Sequence, residues 1–193
     1  MTNTKRTISM LLLALPALAQ AHAGSHPADA LLSGLAHPFS GLDHLAAMFA
    51  VGFWAALAAR RGRADLVLVP ASFVALLSTG ALMAAAGLAI PLVEPVIATS
   101  LLALALLIAR RTSLPLPWAM PLVGVFAFFH GAAHGAELGG GAALVGMMLG
   151  TGALHVLGMV AALVVRHRST AWPHATGAVL GLMGVSLLMG SLR

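Results

Sequence analysis

The sequence predicts an all-α membrane protein, a six-transmembrane-helix bundle after a cleaved N-terminal signal peptide, with both mature termini on the periplasmic side. Three observations carry that reading. The 193 residues are 60% hydrophobic and 8% charged, with mean hydropathy +1.00, whereas a soluble domain is roughly a quarter charged. Six apolar runs follow one another, each near the length of about 20 residues that a helix needs to span a bilayer. Arginines punctuate these runs in alternation, so seven of the eight beyond the leader fall on one side. That is the positive-inside signature of a cytoplasmic face.

The leader comes first. Lys5 and Arg6 form a positive n-region, Ile8 to Leu18 an apolar stretch too short for a span, and Ala19-Gln20-Ala21 a cleavage site. Residues 1–21 read as the signal peptide, although cleavage after Ala23 also fits. Residues 22–35 then read as a short periplasmic tail carrying His22 and His26, and residues 36–193 as the membrane domain. The six spans fall near 36–59, 66–90, 93–109, 117–138, 142–165 and 172–192. Arg60, Arg61 and Arg63 follow the first, Arg110 and Arg111 the third, and Arg166 and Arg168 the fifth; only Arg193 lies opposite. The basic residues thus describe topology, not a nucleic-acid surface. No cysteine is present, which excludes thiolate metal sites and disulfides. Gly131/Gly135, Gly146/Gly150 and Gly177/Gly181 are spaced four apart, which lets helix backbones approach closely.

Against this background the ionisable residues stand out, because charges at membrane depth are costly and mark functional pathways. Asp65 closes the arginine loop and reads as a solvated interfacial charge. Asp43, Glu94 and Glu137 map to the external half, and so do His37, His44, His130 and His134. On a helix, His130, His134 and Glu137 share one face, with neighbours about 5–6 Å apart. His37 and His44 also share a face, but about 10 Å apart along a regular helix. They can meet on one ion only if the segment is unwound, and Pro38 and Gly41 favour an irregular start. Asp43 and His44 would point about 100° apart on that helix, towards different partners. The donor set is nitrogen and oxygen, which suits a borderline divalent transition metal better than Mg or Ca. His22 and His26 are candidates for collecting the ion outside. His155, in the middle of span five, reads as a hydrogen bond across helices, His167 and His174 as interfacial, and the methionines as packing.

At these residues the chain resembles the HupE/UreJ family of bacterial nickel permease-type proteins. His37-Pro38-x-x-Gly41-x-Asp43-His44 matches the motif H-P-x-x-G-x-D-H at the head of the first span. Phe129-His130-Gly131-x-Ala133-His134-Gly135-x-Glu137 matches a second motif in the fourth, and neither motif contains a substitution. The resemblance covers nearly the whole chain. It implies a multi-pass protein of the bacterial cytoplasmic membrane that moves nickel, or cobalt, inward to supply hydrogenase or urease, with nickel chaperones acting downstream. The metal is then transported ion rather than tightly bound cofactor, the protein is no enzyme, and the bilayer is its other partner. A homo-oligomer is compatible with this reading. A zinc-dependent intramembrane hydrolase and a haem- or metal-binding protein without transport are the rival readings. The chain has no H-E-x-x-H and no Walker A motif.

Overall fold

The computed structural model describes residues 27–59, 64–138, 141–166, 169 and 171–192. The signal peptide, His22, His26, Arg60, Arg61, Arg63, His167, Arg168 and Arg193 lie outside the described residues. Within them the protein is all helical: α1 (Pro27–Ala36), a 3₁₀ turn (His37–Phe39), α2 (Leu42–Ala58), α3 (Ala64–Ala85), α4 (Val93–Ala109), α5 (Leu116–Leu138), α6 (Gly141–Val165) and α7 (Ala171–Ser191). Helices α3, α5, α6 and α7 are long and apolar enough to cross a membrane. At 17 residues each, α2 and α4 stand at the short end of the range for a span, about 17–25 residues. The chain is a helical membrane protein.

Two expected spans end differently from the sequence reading. The first does not run unbroken from residue 36, because α1 with its 3₁₀ turn meets α2 at a bend of 80°. The cause is local. Pro38 sits at the start of the 3₁₀ turn, where its missing N–H costs nothing, and Gly41 is extended at φ −104°, ψ 123°. Ser40 closes the turn by donating from Oγ to the His37 carbonyl at 2.7 Å. Residues 27–35 of the expected tail therefore belong to a helix, Pro27–Ala36, and it packs along α6. The second span stops at Ala85 rather than near 90. Leu88 N–H bonds the Met83 carbonyl and Gly87 N–H the Ala84 carbonyl, a Schellman cap with Gly87 left-handed at φ +86°. Arg111 occupies the same position at the end of α4, at φ +50°, with Thr112 N–H bonded to the Leu107 carbonyl.

The core is built around α2. From Ala46 to Ala58 every residue except Phe49 and Leu57 is buried, as expected of a helix that is apolar all round. Trp54 anchors its C-terminal part, donating from Nε1 to the Thr112 carbonyl at 2.8 Å.

Glycines set the helix pairing. A Cβ on Gly52 would meet the His155 carbonyl oxygen, and one on Gly158 that of Phe49, so α2 and α6 are in backbone contact. Gly80, Gly131 and Gly135 do the same for α3 and α5, while Gly177 and Gly184 seat α7 on α4. Register follows from these contacts. Met48 meets Thr151, Gly52 meets His155 and Phe53 meets Gly158, while Leu77 and Ala81 meet Gly131 and Gly135, so α2 with α6 and α3 with α5 are parallel; α4 and α7 are antiparallel.

Candidate metal site

The bend before α2 is what assembles the site. On a continuous helix His37 would lie about two turns from His44. Broken at Pro38–Gly41, the chain brings both imidazoles onto His134 of α5, with ring centroids 4.4 Å away for His37 and 4.0 Å for His44. Parallel packing of α5 on α3, set by Gly131 and Gly135, fixes the face that carries His130, His134 and Glu137.

Three ligand atoms converge at the mouth. His37 Nε2 lies 2.6 Å from His134 Nδ1 and 3.3 Å from Glu137 Oε2, and His134 Nδ1 lies 3.9 Å from the same oxygen. A point in the plane of these atoms is about 2.0 Å from all three, which is the length of a transition-metal bond to nitrogen or oxygen. The triangle thus has the dimensions of one face of a coordination sphere. Its members differ in access: the His134 side chain is 7% exposed and that of Glu137 65%. The carboxylate meets solvent while the imidazole backs onto the protein. At 2.6 Å, one of the two close nitrogens carries a proton and donates to the other.

Behind the triangle lies a second layer of imidazoles. His44 Nδ1 donates to Asp43 Oδ1 at 3.0 Å, so its Nε2 keeps a lone pair; that atom is buried without a partner. The helical separation expected of Asp43 and His44 does not keep them apart: the carboxylate turns towards the ring and orients it, as in carboxylate–histidine–metal arrangements. His130 is fully buried, its ring 5.0 Å from that of His44. Ser100 Oγ spends its only hydrogen on the Ile97 carbonyl at 2.7 Å. The 3.1 Å contact between Ser100 Oγ and His130 Nε2 is therefore a donation from the ring. This leaves His130 Nδ1 as an acceptor, and it too is buried and unpartnered, like His134 Nε2. Three unpaired buried nitrogens in one place are costly unless something binds them.

Of the residues the sequence singled out, His37, His134 and Glu137 form the converging group. Asp43, His44 and His130 adjoin it. Glu94 is exposed in the first turn of α4 and is not a member. Ser100, which fixes the His130 tautomer, escaped sequence reasoning; a serine beside Thr99, midway along a largely aliphatic helix, was its only signal. His155 does make the interhelical hydrogen bond, from Nδ1 to the Met48 carbonyl at 2.7 Å.

A family model described as HupE / UreJ protein matches residues 10–187. Protein HupE of Rhizobium leguminosarum bv. viciae is 40% identical over 195 residues, spanning 98% of this chain and 100% of that protein. No solved structure matches.

Proposed function

The chain belongs to the HupE/UreJ family, and on that premise we propose that it is a permease for a divalent transition metal, most simply Ni²⁺, with Co²⁺ the close competitor. The observation that supports this best is the triangle of His37, His134 and Glu137, sized for a metal and open to solvent through Glu137. The ion enters from the periplasmic side, where His22 and His26 collect it and Glu94 adds negative charge. It loses part of its water shell at the triangle and passes to the imidazoles of His44 and His130, with Asp43 holding His44 in the ligating tautomer. Six spans with arginine loops inside orient this entrance outward, in the cytoplasmic membrane. Membrane potential favours entry by about 2.3 kcal/mol per charge at 100 mV. The delivered metal supplies hydrogenase or urease maturation through nickel chaperones. A resident-zinc hydrolase would need a nucleophile or an H-E-x-x-H, and a haem carrier an opposed pair of free imidazoles; the histidines here cluster edge to face.

Uptake of ⁶³Ni²⁺ into proteoliposomes tests the reading. Wild type loads the lumen, while Asp43→Asn, His44→Ala and Glu137→Gln each lose at least about 90% of the flux. Full transport by all three variants would sink the site. A protein that binds nickel yet loads no lumen would be a sensor, not a permease.

Acidity supplies a second test. A ligating imidazole must be free of its proton, and the reference pKa is about 6.5. Lowering external pH from 7.5 to 5.5 puts protons in competition for the imidazole nitrogens, so nickel uptake falls several-fold and recovers on return. A flat profile across that interval counts against ligation by the part-exposed His37 at the triangle.

A further inference from the structure

His155 belongs to none of the groups above. It stands midway along α6, 1% exposed, and one of its nitrogens is already accounted for. A carbonyl can only accept, so the 2.7 Å contact with Met48 O places the proton on Nδ1. Nε2 is left with a lone pair, and that atom is buried with no hydrogen-bond partner. If the side chain served only to tie α6 to α2, a donor would suffice and the second, unpaired nitrogen would be a penalty. A metal-ligating histidine has the same two-sided arrangement: one N–H on a backbone carbonyl, the other nitrogen free.

Its surroundings continue the path. The Phe73 ring sits edge to face with His155 at 5.0 Å between centroids, and 6.1 Å from His130. His155 is thus one aromatic ring inward from the imidazoles behind the entrance. One turn earlier on α6, Thr151 Oγ1 donates to Met48 Sδ at 3.3 Å, so a thioether and a hydroxyl line the same buried interface. Around them the packing is aliphatic and aromatic.

We propose that His155 Nε2 is an inner binding point for the permeating transition-metal ion, reached from His44 and His130 past Phe73. This rests on the permease reading and deepens it. Conduction needs several sites of moderate affinity rather than one tight one, and a single imidazole after a three-ligand entrance provides that descent.

The test uses purified full chain in proteoliposomes, with Ni²⁺ and Cd²⁺ flux measured beside equilibrium Ni²⁺ binding. His155→Gln keeps an N–H for the Met48 carbonyl but removes the imidazole lone pair. It is expected to hold Ni²⁺ binding at the entrance within twofold of wild type while flux drops at least tenfold. His155→Cys substitutes a soft thiolate, which favours Cd²⁺, and is expected to raise the Cd²⁺/Ni²⁺ flux ratio at least fivefold. A histidine that only packs would change stability but not ion preference. Should the Gln variant fail to fold, the ratio in the Cys variant decides. An unchanged ratio, or wild-type flux in the Gln variant, overturns the inner site. That result alongside a dead Glu137→Gln removes this inference alone, whereas absence of flux in wild type removes the permease with it.

Discussion

His134→Ala abolishes nickel uptake, with flux into proteoliposomes falling at least about 100-fold and saturable Ni²⁺ binding lost. The size of the effect follows from where His134 stands. Its Nδ1 is one vertex of the triangle, 2.6 Å from His37 and 3.9 Å from Glu137, and its ring is also 4.0 Å from that of His44. Removing it therefore takes a ligand from the entrance and breaks contact with the layer behind. Loss of a mere orienting partner typically lowers metal affinity about 10–100-fold, so loss of a ligand shared between two layers should exceed that. Because alanine at a nearly buried position also leaves a void, thermal stability of the detergent-solubilised protein is measured in parallel. A folded variant retaining more than a third of wild-type uptake would rule out the triangle as the entrance.

The second large effect is structural and reaches the site indirectly. Gly131→Val places a branched side chain where a Cβ alone would stand 1.9 Å from the Leu77 carbonyl oxygen and 2.9 Å from the Ala81 amide nitrogen. Both obstacles are backbone, so no rotamer change relieves them and α5 must move off α3. Overpacking a tight interior costs about 1–3 kcal/mol where side chains can adjust, and here they cannot. At about 2–4 °C per kcal/mol for a chain of this size, the apparent melting temperature should fall by at least about 5 °C. Uptake should fall with it, because His130 and His134 ride on the displaced helix. Gly152→Ala is the control: a Cβ there meets no atom within 4 Å, and both stability and flux should match wild type. A Gly131→Val protein as stable as that control would show that the two helices are not in backbone contact.

These contrasts also show what the residues announce in one dimension. Apolar runs of near-bilayer length revealed the helices, and the i, i+4, i+7 spacing placed His130, His134 and Glu137 on one face. Pro38 and Gly41 signalled an irregular start to the first span. They did not signal an 80° bend, because its size depends on where α1 finds a groove on α6. The end of α3 was legible in principle: Gly87 followed by Pro91 is a helix-stop pattern, masked by the apolar residues around it. Partners across the bundle were not legible. His37 and His134 are 97 residues apart, and no local pattern encodes a meeting at that separation. Nor could sequence assign tautomers. Those of His130 and His155 follow from Ser100 and from the Met48 carbonyl, which are neighbours only in three dimensions.

The parallel pairing of α2 with α6 and of α3 with α5 has a consequence for biosynthesis. The principal partner of α2 is not the next helix made but the fourth after it, and that of α3 the second after it. At about 5–20 residues per second, a ribosome needs roughly 5–20 s to add the 97 residues that separate His37 from His134. During that interval the nascent chain holds imidazoles and a carboxylate at the membrane with no ligand group to meet, and the Gly52 face of α2 has no α6 to cover it. A chain stalled or truncated before α5 is therefore a recognisably unfinished object, with polar groups and a groove exposed to lipid. Such a fragment is a natural target for membrane quality control, and metal cannot rescue it, because the halves of the entrance come from opposite ends of that wait.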